Sequence, residues 1–262
     1  MTYAAGAKDF TGTGDAYDRF MGRYSQLLAP AFADFCQVET GQRLLDVGCG
    51  PGAFTAVAAD LLGPAAVVAV DPSPTFVAAC RERHPDVDVR EGAAEALPVD
   101  DASFDRAVAQ LVIHFVTDPP RSAAEMRRAV RPGGLVGVCV WHGTEEMGLL
   151  HVVSQARAAV EPPSEPEVRP FGQEGELTAL LAGAGLVDVE DAPLSVTVRY
   201  SGFEVLWSSL LEGIGPAGAY VASLGPDTRE RYREALYDLT GHPAGDFTLS
   251  ATALAARGRV PD

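Results

Sequence analysis

The sequence predicts an α/β fold: a mostly parallel sheet covered by helices on both faces. Three observations predict it. Short apolar runs alternate with helical patterns through residues 43–141. A turn with glycine at every second position, Gly48, Gly50 and Gly52, follows the first run. Arg131-Pro-Gly-Gly134 separates the last helix of this series from its last strand. Short apolar strands separated by helices bury both faces of a parallel sheet.

The elements follow in order. Strands are expected at Arg43–Val47, Ala66–Asp71, Val87–Glu91, Phe104–Gln110 and Leu135–Trp141. Helices are expected between them at Ala53–Leu62, Pro74–Arg83 and Pro119–Val130, with Pro74 in a first turn, where its missing N–H costs little. A helical stretch precedes the sheet at about Asp15–Phe35 and carries Tyr17, Phe20 and Tyr24. Beyond it, the proline- and acid-rich Glu161–Pro170 reads as a mobile connection. Gln173–Ala184 reads as helix, stopped by Gly185, and Leu186–Asp191 and Leu194–Tyr200 as strand. Phe203–Ile214 and Asp227–Leu239 read as amphipathic helices, and Phe247–Ala255 as the last strand. The domain organisation expected is a helical lid segment at 1–40, then one domain at 41–262 carrying a lid insertion at about 202–240.

Composition narrows the function. The chain has 47% hydrophobic and 21% charged residues, as ordinary globular domains do. Its net charge is −16, whereas nucleic-acid binders carry a basic footprint, so no nucleic-acid partner is expected. No apolar run is long enough to span a bilayer and no signal peptide is apparent near Asp9, Asp15 and Asp18, so no membrane partner and a cytoplasmic location are expected. Cys36, Cys49, Cys80 and Cys139 show no CxxC pair and read as small buried hydrophobes; no metal site is expected.

LLDVGCGPG at 44–52 is a buried strand entering a glycine turn, the frame of a nucleotide-like ligand. The spacing is G-x-G-x-G rather than the dinucleotide G-x-G-x-x-G, and no Gly-Lys-Ser/Thr follows, so a P-loop is excluded. Asp71 ends the second strand in VVAVDPSP, where a carboxylate accepts both ribose hydroxyls; the alternative is a helix N-cap.

With these segments in order, the sequence resembles the class I S-adenosylmethionine-dependent methyltransferases, and its ends resemble a bacterial small-molecule branch. The resemblance rests on LLDVGCGPG, VVAVDPS, EGAAEALPVDDASFD, FDRAVAQLVIHFVTDP and RPGG, and less firmly on MGRYSQLLAPAF and PAGAYVASL. It implies a Rossmann-like seven-stranded sheet of order 3-2-1-4-5-7-6 with only strand seven antiparallel. It implies S-adenosylmethionine as cofactor, S-adenosylhomocysteine as product and a small-molecule acceptor. It places the backbone of Gly48, Cys49 and Gly50 along the methionine and ribose portions, and Asp46 toward the amino-acid end. It gives Asp71 the ribose hydroxyls, Pro72 the face of the adenine and the Ala94 N–H a ring nitrogen. Gln110 offers a carbonyl to the ammonium group, and Arg23 is a partner for the carboxylate. One departure stands out: where the family usually has Gly-Asp-Ala-Glu, this chain has Gly92-Ala93-Ala94-Glu95, without the side-chain acceptor for the adenine amino group.

Methyl transfer needs alignment, and a base where the nucleophile carries a proton. His114, past the fourth strand, and His142, past the fifth, are the candidate catalytic residues, with packing or capping as the alternative for His114. Trp141, Phe203, Trp207 and Tyr220 read either as acceptor-pocket walls or as lid core. Two other functions remain open at this level: a nicotinamide-dependent oxidoreductase, disfavoured by the glycine spacing and the absence of a Tyr-x-x-x-Lys pair, and a cofactor-binding module that transfers nothing. Oligomeric state is not legible.

Overall fold

Side chains on a strand alternate between its faces, and here both sets are apolar. Leu44, Val67, Ala69, Val108 and Cys139 enter one buried cluster, and Leu45, Val47, Val68, Val70, Ala107 and Val138 enter the other. The structure, a computed structural model, describes residues 18–143, 146–161 and 170–262. Lys8, Asp9, Asp15, Tyr17 and most of the connection read as mobile lie outside the described residues.

The sheet runs β1 (Leu44–Val47), β2 (Val67–Asp71), β3 (Asp88–Glu91), β4 (Phe104–Gln110), β5 (Val130–Trp141), β6 (Val187–Tyr200) and β7 (Phe247–Arg259). Its spatial order is β3-β2-β1-β4-β5-β7-β6, the expected one. The first five strands pair in parallel, and β7 is antiparallel to both β5 and β6. The intervening helices are α1 (Arg23–Phe35), α2 (Ala53–Leu62), α3 (Pro74–Arg83) and α4 (Pro119–Ala129). They are followed by α5 (Gly148–Val160), α6 (Glu176–Gly183), α7 (Phe203–Leu211), α8 (Gly215–Ser223) and α9 (Pro226–Leu239). Buried residues of α1, α2, α5, α7, α8 and α9 lie in the first cluster, and those of α4 and α6 in the second.

Several boundaries differ from the expected ones. β6 is one strand rather than two, because Pro193 sits on an edge, where its missing N–H breaks no ladder. β5 begins at Val130 and carries Arg131-Pro-Gly-Gly134 within it, with a register shift between Phe104 and Arg106 on its neighbour. β7 extends to Arg259 because β5 and β6 pair with its whole length. Helices α5 and α8 had no counterpart in the sequence reading.

What positions the site is the shared face of three strand ends. Asp46, Asp71 and Gln110 follow Leu44, Ala69 and Val108 by two residues each, and therefore point to the face that α1 and α2 cover. The segment holding α7, α8 and α9 leaves β6 and re-enters β7 at that same carboxyl edge.

Candidate cofactor site

A cavity of about 260 Å³ opens at the carboxyl ends of β1, β2 and β4. Of the residues read from the sequence, Asp46, Gly48, Cys49, Gly50, Asp71, Pro72, Ala94 and Gln110 all line it. Arg23, His114 and His142 are not among the lining residues.

The glycine turn is held from below. The Gly48 and Cys49 N–H groups donate to the Val70 carbonyl at 2.7 and 3.1 Å, fastening the turn to the end of β2. Gly48 has φ +71°, and a Cβ there would lie 2.5 Å from Cγ2 of Val112. Gly48→Ala is therefore expected to cost about 1–3 kcal/mol through strain and overpacking. Urea denaturation checks this, and adding Val112→Ala should recover part of the loss. Gly50 also has positive φ, but a Cβ there would meet nothing within 4 Å among the described residues.

The Asp71 carboxylate accepts from the Gly50 N–H at 2.9 Å and the Ser73 N–H at 2.8 Å, one on each oxygen. It thus ties the turn to the loop after β2 and retains lone pairs for further donors. Ser73 is the N-cap of α3, accepting from the Phe76 N–H, so capping does not account for Asp71. Burial raises the Asp71 pKa, and the two N–H bonds pull against that rise. Asp46 is 1% exposed and accepts from the Thr55 hydroxyl at 2.6 Å. Burial pushes its pKa up to about 7; the Thr55 bond opposes this and the charge of Asp71 adds to it.

Gln110 Nε2 donates to the Ser25 carbonyl at 3.0 Å, which latches α1 to the tip of β4. That bond fixes the amide orientation, and Oε1 is left buried with no partner among the described residues. An unpaired buried acceptor is costly unless a ligand supplies a donor. Arg23 instead donates to the Arg19 carbonyl at 2.7 Å and lies 5.1 Å from the centre of the Tyr200 ring. His114 sits on a 3₁₀ turn, Ile113–Phe115, whose neighbours Val112, Phe115 and Val116 line the cavity. The His142 N–H donates to the Thr252 carbonyl at 2.9 Å. The four aromatics pack in the first cluster, Trp141, Phe203 and Trp207 as buried members and Tyr220 at its margin; none lines the cavity, which favours lid core.

Several lining residues were missed by the sequence reading: Ser25, Phe54, Phe76, Val112, Phe115 and Thr117. Phe54 and Phe76 had a usable signal, an aromatic in the first turn of the helix after β1 and after β2. At the Ala93 end the cavity also holds Glu95 and Thr117, and Glu95 accepts from the Thr117 N–H at 2.8 Å.

Three carboxylates, Asp46, Asp71 and Glu95, line the cavity, and no Lys, Arg or His does so among the described residues. This set of acceptors suits a cationic nucleoside. S-adenosylmethionine fits on three counts: ribose and ammonium donors for Asp71, Asp46 and Gln110 Oε1, space beside Gly50 that no described residue fills, and positive charge for the carboxylates.

Comparison with known proteins agrees. A family model described as a methyltransferase domain matches residues 45–138, the stretch from β1 into β5. An uncharacterized methyltransferase of Mycobacterium sp. (strain JLS) is 33% identical over 215 residues, covering 75% of this chain and 82% of that protein. A Mycobacterium tuberculosis protein named as a probable S-adenosylmethionine-dependent methyltransferase is 33% identical over 66% of this chain and 57% of its own. The chain spans 30%, 52% and 61% of the length of three other curated relatives it matches. Among solved structures, YcgJ of Bacillus subtilis superposes with a TM-score of 0.57 at 15% identity, over 91% of this chain and 99% of that one, a likeness of fold. With a methyltransferase relative one-third identical over most of its length, the family model on the glycine turn and a cavity built for a cationic nucleoside, the chain belongs to the class I S-adenosylmethionine-dependent methyltransferases.

Proposed function

We propose that this chain transfers the methyl group of S-adenosylmethionine to a small-molecule acceptor. The observation that carries the reading is the charge of the cavity: three carboxylates and, among the described residues, no cationic side chain. A pyrophosphate in their place would face those carboxylates with nothing to balance it, which opposes the dinucleotide alternative. The net charge of −16 likewise opposes a nucleic-acid acceptor. Among the described residues no helix is long and apolar enough to cross a membrane.

When bound, S-adenosylmethionine supplies an electrophilic methyl group on a positively charged sulfur. The residues of the chain hold and orient. Asp71 takes the sugar hydroxyls, Asp46 and Gln110 the amino-acid end, and Pro72 and Ala94 the base. Phe54, Val112 and Phe115 exclude water beside them. Alignment of this kind contributes about 7–11 kcal/mol in favourable intramolecular reactions, so catalysis does not depend on a triad. Where the acceptor is a hydroxyl, His114 or His142 is the candidate to take its proton. The helices at 202–240 and α1 form the lid of this proposal, over the edge from which α7–α9 arise.

Thermal denaturation with two ligands tests the reading. S-adenosylhomocysteine at one hundred times its Kd should stabilise the fold by about 2.7 kcal/mol and raise the Tm by several degrees, while NAD⁺ should leave it unchanged. The reverse pattern would overturn the proposal. Mass spectrometry of a metabolite extract incubated with methyl-labelled cofactor then identifies the acceptor, and label found only in RNA or protein would remove the small-molecule part.

A further inference from the structure

Two thiols with no part in methyl transfer lie beneath the glycine turn. Cys49 stands between Gly48 and Gly50 and lines the cavity. Cys80, on α3, has no exposed surface. Far apart in sequence, the two side chains lie near enough to influence each other. Cys80 Sγ also lies 3.9 Å from the Thr55 hydroxyl, which donates to Asp46 at 2.6 Å. The same sulfur lies against the turn, since a Cβ added at Gly52 would sit 3.1 Å from it. Cys49, Cys80, Thr55 and Asp46 therefore form one buried row, running from the turn to the carboxylate at the tip of β1.

We propose that Cys49 and Cys80 are an oxidation site that closes to a disulfide, disables the cofactor cavity, and is shielded when the cofactor is bound. The proposal rests on the cofactor reading above. The route in is the cavity itself, because Cys49 lines it and Cys80 does not. A diazene oxidant such as diamide adds to the Cys49 sulfur across its N=N bond, the thiol proton passing to the second nitrogen. The Cys80 sulfur then attacks Cys49, the S–N bond breaks, and the leaving nitrogen takes the Cys80 proton. Two S–H bonds are lost, one S–S bond is gained, and the diazene leaves as its hydrazine. The proximity of the two thiols raises the pKa of Cys49 and lowers that of Cys80, which suits Cys80 as the attacking partner.

Closure must change the cavity, because a disulfide brings the sulfurs to about 2 Å. Cys49 then moves toward α3, and the adjacent Gly50 N–H leaves its 2.9 Å bond to Asp71. Thr55 loses its thiol neighbour, and Asp46 loses the support behind the Thr55 hydroxyl that donates to it. Intracellular disulfides of mesophiles are mostly transient and redox-responsive, in keeping with a pair that is reduced at rest.

The test uses the full chain, diamide and S-adenosylhomocysteine. Peptide mass spectrometry after diamide should find Cys49 joined to Cys80. Calorimetry should show affinity for S-adenosylhomocysteine at least tenfold weaker, restored by dithiothreitol. Saturating S-adenosylhomocysteine present during oxidation should slow cross-linking at least fivefold. Cys80→Ala, compared with itself before and after diamide, should keep its affinity; Cys80→Ser replaces it if the alanine variant does not fold. Absence of the cross-link, a cross-linked protein that binds within twofold of the reduced one, or equal loss of binding in the Cys80 variant would each overturn the proposal. If the reduced wild type fails to bind S-adenosylhomocysteine, the cofactor reading falls, while the mapped cross-link still reports on the thiol pair.

Discussion

Asp71→Asn is expected to weaken binding of S-adenosylhomocysteine about 10- to 100-fold. Hydrogen bonds to an ionised acceptor contribute about 1.5–3 kcal/mol each, and about 1.4 kcal/mol is a factor of ten. The asparagine loses the charge, and its NH₂ replaces one of two oxygens that now accept from Gly50 and Ser73. A donor then faces a donor, so the glycine turn loses an anchor and the ligand loses an acceptor. Titration calorimetry measures the first effect, and a melting curve confirms that the variant is folded. Unchanged affinity in a folded Asp71→Asn protein would remove the sugar-binding role from this carboxylate.

The second expected result is a pH dependence centred on Asp46. Its folded pKa is about 7 because burial disfavours the charge. The unfolded group titrates near 3.8, so between about 4 and 7 the native state binds more protons than the unfolded one. The contribution of Asp46 is thus fully present at low pH and is lost as pH rises through that window. Ligand binding runs the other way, because a cationic ligand selects the ionised form. Affinity for S-adenosylmethionine should fall about tenfold from pH 8 to pH 6, as expected for one proton taken up near 7. Calorimetry across that range measures it, and Asp46→Asn should flatten the profile. A wild-type affinity that does not change over this interval would show that Asp46 is not coupled to the ligand.

Asp71 was legible in the sequence because it closes an apolar strand 23 residues beyond Gly48, at the distance a ribose carboxylate takes from a glycine turn. Asp46 and Gln110 took their roles from the family likeness, and their places near the ends of buried strands agree with it. Arg23 had no such support: its place came from a family likeness alone, and the structure turns its guanidinium to Tyr200. The strands β1 to β4 were found almost to the residue, but β7 was ended at Ala255, short of Ala256-Arg-Gly-Arg259, where alanine and glycine have little strand propensity. Pairing on both sides makes that stretch a strand regardless. Helix α5 went unread although Leu149, Leu150, Val152, Val153 and Ala156 give it a buried face, because its N-cap is Met147, with no capping side chain and no acid in its first turn. Helix α8 is rich in glycine, which disfavours helix. Its Gly218 is explained only by tertiary contact, since a Cβ there would lie 2.7 Å from the backbone of Gly213.

Neighbouring antiparallel strands can be joined by two residues, yet β6 and β7 are joined through three helices. Nothing in the closure of the sheet requires that detour, and the ladder from Val187 to Tyr200 would survive a far shorter bridge. The excursion is therefore free to diverge while the cofactor half stays put. If that segment is the lid proposed above, grafting the equivalent stretch from a relative between Tyr200 and Phe247 should change what gets methylated without rebuilding the donor site.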